Sequence, residues 1–239
     1  MKILYCISLF FCLSFCINKP EKTVSDIIKI RRSHDFEISG EGRADNWNNT
    51  DWIILPQRKG AINSRSTRVK LLYSETGIYY LFSCKDSLLT STMNVDNMPL
   101  WKEDVVEVFL APDLQSWNHF EYELSPLNYE LALFVSKKNE TITRWVPFYM
   151  NEKERVRKAT SVKGGEKRSF SEVSEWTAEF YIPFSQLGLF DNTPPRSGTH
   201  WRGNMYRVDY DNGQVADWTW QPVSGSYHNT GEYGILQFE

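Results

Sequence analysis

The chain has 239 residues, 41% of them hydrophobic and 24% charged, with a formal net charge of -3. This is ordinary globular composition, enough for one large domain or two small ones, and the lack of a basic surplus argues against nucleic acid as a partner. The 4 His and 4 Cys are too scattered to predict a zinc site, whereas the 9 Trp and 12 Tyr stand out, because such rings are often left at binding surfaces.

The N-terminus, MKILYCISLFFCLSFCINKPEK, reads as an export segment. Lys2 gives a positive start, and Ile3 to Phe15 is almost wholly apolar. That run is shorter than the ~20 residues needed to span a bilayer, so a signal peptide fits better than an anchor helix. LSFC, ending at Cys16, is similar to a bacterial lipoprotein box, although Phe15 stands where a small residue is usual. The expectation is an exported protein, periplasmic or at the cell surface, attached to the outer membrane by a lipid on Cys16, with simple secretion as the alternative. Residues 1–16 would be the signal peptide, 17–33 a tether and 34–239 the folded domain. With Cys6, Cys12 and Cys16 in the leader, Cys84 stands alone in the body, so no disulfide framework is available. In IYYLFSCKD it reads as a buried, inert thiol.

Beyond the leader, short β-rich runs recur between turn signals, and no long amphipathic helix declares itself. TRVKLLYS and GIYYLFSCKD, separated by SETG, read as a hairpin closed by Gly77. EDVVEVFLAP, HFEYELSP and YELALFVSKK follow, and in FEYEL the alternation is explicit. Phe120, Tyr122 and Leu124 face one way, Glu121 and Glu123 the other. SVKGGEKRSFSEVSE reads as a polar hairpin tip or loop, and in PFSQLGL a short helical turn is expected to stop at Gly188. SEWTAEFYIPF, WRGNMYRVDYD and YGILQFE complete the set, the last strand being expected to return beside the first. Eight or more strands without helical crossovers predict an all-β fold, an antiparallel β-sandwich of jelly-roll type, as a single domain.

No G-x-S-x-G elbow, H-E-x-x-H helix or phosphate-binding loop occurs in the sequence. His34, His119, His200 and His228 are too dispersed to group. Acids in or beside predicted strands are Asp86, Asp104, Glu107, Glu121, Glu123 and Asp209. A pair of them could run glycoside hydrolysis as acid and nucleophile or base. Binding explains more of the pattern. A sugar presents flat C–H faces ringed by hydroxyls, which want aromatic planes beside carboxylates, amides or guanidiniums. Trp101 precedes Asp104 and Glu107, Tyr206 precedes Arg207 and Asp209, and Tyr227 precedes His228 and Asn229. Trp218 and Trp220 share a strand face, and one of them could line such a site; Trp47, Trp52, Trp176 and Trp201 read as packing residues.

The order of ADNWNNTDWIIL, VKLLYSETGIYYLFSCKD, LWKEDVVEVFLAP, WTAEFYIPFSQLGL and EYGILQF resembles the family 9 carbohydrate-binding modules over residues 34 to 239. The most specific piece is W-x-x-D-x-V-E-V-F, formed by Trp101, Asp104, Val106, Glu107, Val108 and Phe109. The resemblance implies a non-catalytic sandwich that clamps a saccharide end between two aromatic rings, in glycan capture or polysaccharide utilisation. Carried over, the rings are Trp101 and Tyr227, the second a departure from the expected tryptophan. The sugar-contacting acids map to Asp86 and Glu107. The polar positions that follow map to Glu121 and Glu123, where well-known members carry an amide and an arginine. The resemblance leaves a structural calcium ion open and names no other cofactor or protein partner. Two alternatives stay in view: a hydrolase or lyase using the strand carboxylates, and a protein-interaction sandwich that has lost the sugar site.

Overall fold

The computed structural model describes residues 25–60, 65–139, 141–148 and 155–239. The expected signal peptide and Cys16 lie outside them. Two sheets face each other. The first has the order β10 (Arg157–Lys163), β11 (Glu175–Pro183), β5 (Gly77–Lys85) and β4 (Thr67–Tyr73), with β2 (Ile53–Leu55) also paired to β4. The second has the order β14 (Gly234–Phe238), β12 (His200–Asp211), β6 (Val105–Ala111), β7 (His119–Leu124), β8 (Glu130–Lys138) and β9 (Thr141–Pro147). Beside one end of β12 lie β13 (Gln214–Thr219) and β3 (Gln57–Lys59).

One strand, β1 (Ile27–Arg32), joins the two sheets. Its first four residues pair with β14, and Arg31 and Arg32 pair with β4. Strands that change sheets in this way make the corners of a sandwich. Both pairings are parallel, unlike the antiparallel ladders that dominate elsewhere. Parallel neighbours need a long connection, and here the body of the domain supplies it without a crossover helix. The strand also corrects the expected boundary, because residues 27–32 belong to the sandwich rather than to a tether. Ile28 and Ile30 are buried in the core, which is why the segment is fixed there.

The alternation seen in the sequence sets the layers. Val106, Val108 and Leu110 of β6, with Phe120, Tyr122 and Leu124 of β7, face Val69, Tyr80, Phe82, Trp176 and Phe180 of the first sheet across one contiguous core. Each large apolar side chain buried there contributes roughly 1.5–3 kcal/mol relative to exposure. Cys84 is fully buried in this layer, and burial pushes its thiol up to about 12. Trp218 and Trp220 are buried in the same core. The expected hairpin is β4–β5, and the expected helical turn is the 3-10 turn Phe184–Leu187 ended by Gly188.

The outward face of the first sheet is closed. Phe36, Ile38 and Trp47 from the segment after β1 pack on Leu72, Tyr79, Leu81 and Tyr181. Glu179 of β11 anchors this cover. It accepts hydrogen bonds from the Ser39, Gly40 and Gly42 amides at 2.9, 2.7 and 3.0 Å and from the Trp47 indole at 2.8 Å. Gly40 and Gly42 have positive φ, and a Cβ on Gly42 would meet Leu81 at 2.4 Å, so the cover needs glycine there.

Candidate functional site

The outward face of the second sheet is only partly closed. The 3-10 turn Leu100–Lys102 drops Leu100 onto Val105, Leu131, Leu133 and Val208. Val223 and Tyr233, from the chain between β13 and β14, pack on Phe109 and Tyr206. Between these covers runs a groove of about 470 Å³. Trp101, Trp145, Tyr210 and Tyr227 give it aromatic walls, and Glu107, Phe109, Glu121, Asp217 and His228 also line it.

The motif W-x-x-D-x-V-E-V-F now reads residue by residue. Trp101 is 37% exposed at the groove. Its backbone is fixed by the Tyr210 hydroxyl, which donates to the Trp101 carbonyl at 3.2 Å. Asp104 is fully buried and accepts from the Thr90 and Tyr210 amides at 2.6 and 2.8 Å, so it ties the turn to β12 instead of meeting a ligand. Val106 and Val108 enter the core, while Glu107 and Phe109 alternate onto the groove.

Glu107 does not stand alone. Glu123 lies directly opposite on β7, and Glu121 lies two residues away on the same face. One carboxylate oxygen from each of the three lies within 4.8 Å of the others, and all three residues are buried. Among the described residues, Glu107 Oε1, Glu121 Oε2 and both Glu123 oxygens lack a well-aligned hydrogen-bond partner. Burial, then the charge of Glu121, pushes Glu107 well above the ordinary carboxylate range. Burial raises Glu121 to about 7, and burial with both neighbouring acids raises Glu123 strongly. Exposed strand acids would have kept their hydration. These have lost it without gaining a lysine or arginine partner among the described residues.

Tyr227 lines the groove, but much of its ring is already engaged. It stacks on Tyr206 with centroids 3.9 Å apart and planes at 7°, and the Arg58 guanidinium lies 5.0 Å from its centre. Its carbonyl accepts from the Tyr206 and Tyr233 hydroxyls at 3.2 and 2.6 Å. Arg58 is itself bound to Asp217 through two nitrogens, at 3.0 and 2.8 Å. Tyr227 is thus a braced ring, whereas Trp101 is partly free.

Asp86 is placed elsewhere. It is buried between the sheets, where Arg207 meets it at 2.9 Å and the Trp176 indole donates to it at 3.1 Å. It also caps the Ser87 and Leu88 amides. It does not line the groove, because an arginine 121 positions away takes up its charge. Burial still holds its carboxyl up, at about 6, against the pull of Arg207. Asp86, Asp209 and Asp211 could in principle share a metal ion. Arg207 and Arg65 already fill that role, Arg65 reaching Asp209 and Asp211 at 2.8 and 2.6 Å, so the cluster does not suit the calcium that the resemblance leaves open.

Two features of the groove escaped the sequence. Trp145 is 56% exposed on β9, opposite Val135. Its run, TITRWVP, has too few apolar residues to declare a strand. His119 and His228, 109 positions apart, meet at 3.0 Å. Burial depresses both imidazoles, His119 to about 3 and His228 to about 4.

The family model described as carbohydrate family 9 binding domain-like matches residues 38–239, and the chain belongs to that family. No curated protein matches the chain. Among solved structures, a Bacteroides uniformis protein provisionally described as carbohydrate-binding has a TM-score of 0.73 at 16% identity, covering 89% of this chain and 99% of its own. A family 9 carbohydrate-binding module of Caldicellulosiruptor kristjanssonii, in complex with cellotriose, has a TM-score of 0.61 at 17% identity, covering 89% and 94%. The same organism's module in complex with glucose gives 0.62 at 18%, covering 89% and 96%. At these identities the structural likeness establishes the β-sandwich fold.

Proposed function

We propose that the chain binds a saccharide, without cleaving it, in the groove on the second sheet. One observation carries this reading: a partly free indole, Trp101, stands in the same groove as buried carboxyls with unused hydrogen-bonding capacity, Glu107 and Glu121. A sugar ring offers a C–H face to the indole and hydroxyl donors to the acids. Family membership and the cellotriose and glucose bound by the Caldicellulosiruptor modules support the same reading. Tyr227, braced on Tyr206, serves as the second wall, and Asp86 has no part in the site.

Hydrolysis by these acids has less support. The two-carboxylate mechanism wants one acid protonated and one ionised. Here burial raises all three, Glu121 to about 7 and the other two strongly, and among the described residues no cation holds any of them ionised.

Calorimetry against a glycan panel tests the proposal. The expected affinity is on the order of micromolar to millimolar. Trp101→Ala should lose about 2 kcal/mol of binding, roughly 30-fold, with little change in melting temperature. An unchanged affinity in that variant would sink the proposal.

A further inference from the structure

The fold brings His119, Glu121 and His228 together at the side of the groove, from β7 and from the loop between β13 and β14. His119 Nε2 lies 3.0 Å from His228 Nδ1, and His228 Nδ1 lies 3.6 Å from Glu121 Oε2. One ligand atom from each residue lies within 4.8 Å of the others. A tetrahedral ion bound at about 2.0–2.1 Å holds neighbouring donor atoms about 3.3–3.4 Å apart. The 3.0 and 3.6 Å edges fall on either side of that separation. We propose that these three residues form a binding site for one divalent transition-metal ion of the zinc class, open on the groove side.

Three further observations support the site. The first is the orientation of His119. Its Nδ1 lies 3.4 Å from the Trp117 carbonyl. The tautomer that donates there, assigned from the contact, leaves the Nε2 lone pair to accept from His228 Nδ1–H at 3.0 Å; metal binding would move that proton to His228 Nε2 and free both nitrogens as ligands. Metal-bound histidines are characteristically oriented in this way, by a backbone carbonyl on the other ring nitrogen. Phe109 supports both rings, with centroids 5.8 Å from His119 and 5.4 Å from His228.

The second is Glu121, which is 4% exposed and whose Oε2 has no hydrogen bond among the described residues. A buried carboxylate oxygen with no partner costs folding energy unless something binds it. This oxygen is the one that faces His228.

The third is charge. Glu107 and Glu123 adjoin Glu121, and among the described residues none of the three forms an ion pair with a lysine or arginine. A dication at the imidazoles would lie beside this acidic patch. Lys137 is the opposing charge nearby, and its ammonium is turned to the His228 carbonyl and the Trp117 ring.

Two imidazoles and one carboxylate suit zinc, cobalt, nickel or iron, whereas calcium asks for six to eight oxygens. Three protein ligands leave a coordination position, and Glu121 and His228 line the groove. Water would take that position in the unliganded protein. A saccharide hydroxyl would take it in the complex, a step that rests on the proposed function.

The test is calorimetry of zinc chloride into chelator-treated full-length chain without saccharide, with cobalt chloride followed by visible absorption in parallel. The expected result is one ion per chain and a low-coordinate cobalt spectrum. His119→Ala and His228→Gln should each weaken binding by roughly tenfold or more. His228 is partly exposed, so its variant keeps the test usable if His119→Ala fails to fold. Absence of zinc and cobalt binding overturns the proposal, as does binding that survives both variants at full strength. Saccharide titration of the metal-free chain keeps the two ideas apart: sugar binding without metal binding defeats only this one.

Discussion

The protein buries two groups of acids, and they are treated in opposite ways. Asp86 and Asp209 lie between the sheets, fully buried, with Arg207 meeting them at 2.9 and 3.0 Å and Arg65 closing the far side of Asp209. Glu107, Glu121 and Glu123 lie on the outward face of the second sheet, almost as buried, and among the described residues four of their carboxylate oxygens lack a well-aligned hydrogen bond and no lysine or arginine pairs with them. The acids of the first group find their cations within the chain, although the Arg207 Nε is itself buried without a partner among the described residues. The second holds hydrogen-bonding capacity open at the edge of a groove. A folded protein tolerates such a deficit where a ligand supplies what is missing, so the unpaired group is the better marker of function.

The largest expected effect comes from breaking the paired group. Arg207→Met removes the cation but leaves Asp86 and Asp209 buried, which should cost about 3–5 kcal/mol in chemical denaturation. A loss below about 1 kcal/mol would mean that water or a rearranged Arg65 replaces it, and the contrast between the two groups would fail.

The open group should respond to pH. Glu121 is raised in the fold above its unfolded value, so its contribution to stability is fully present below the unfolded pKa and is lost as pH rises through about 7. Glu121→Gln, which cannot ionise, should flatten that decline by up to about 3 kcal/mol across the window from the unfolded value upward. The matching change at the paired group, Asp86→Asn, should destabilise near neutral pH, because it takes a charged partner from Arg207. Melting temperatures from pH 5 to 9 check both. A parallel decline in wild type and Glu121→Gln would show that the carboxyl is hydrated in solution.

That contrast also marks where sequence reading stops. Strand parity sets Glu121 and Glu123 opposite the core, and the family resemblance carries Trp101 and Glu107, both of which line the groove. Parity says which face a side chain takes but not what covers that face. The turn carrying Leu100 and the chain carrying Val223 and Tyr233 bury acids that the pattern alone would leave in water. Asp86 and Glu107 look alike in sequence, each an acid in or beside an apolar strand. They differ because Arg207 reaches only the first, through a contact between sheets that local spacing cannot reveal. The His119–His228 pair is hidden for the same reason. In sequence β1 reads as tether, because its two buried isoleucines are few beside its charged residues.

The smallest expected effect concerns the outer wall of the open region. Trp145 stands on β9, at the edge of the second sheet, more exposed than Trp101 and, among the described residues, without a comparable brace. On the proposed saccharide reading, a ring so placed fits a unit of an oligosaccharide beyond the one assigned to Trp101. Trp145→Ala should therefore cost about 1 kcal/mol, close to fivefold, for a trisaccharide and less for a monosaccharide, with stability unchanged. Equal losses for both ligands would place Trp145 in the same subsite as Trp101. No loss for either would make it a surface residue of an edge strand, and the functional groove would shrink to the walls around Glu107.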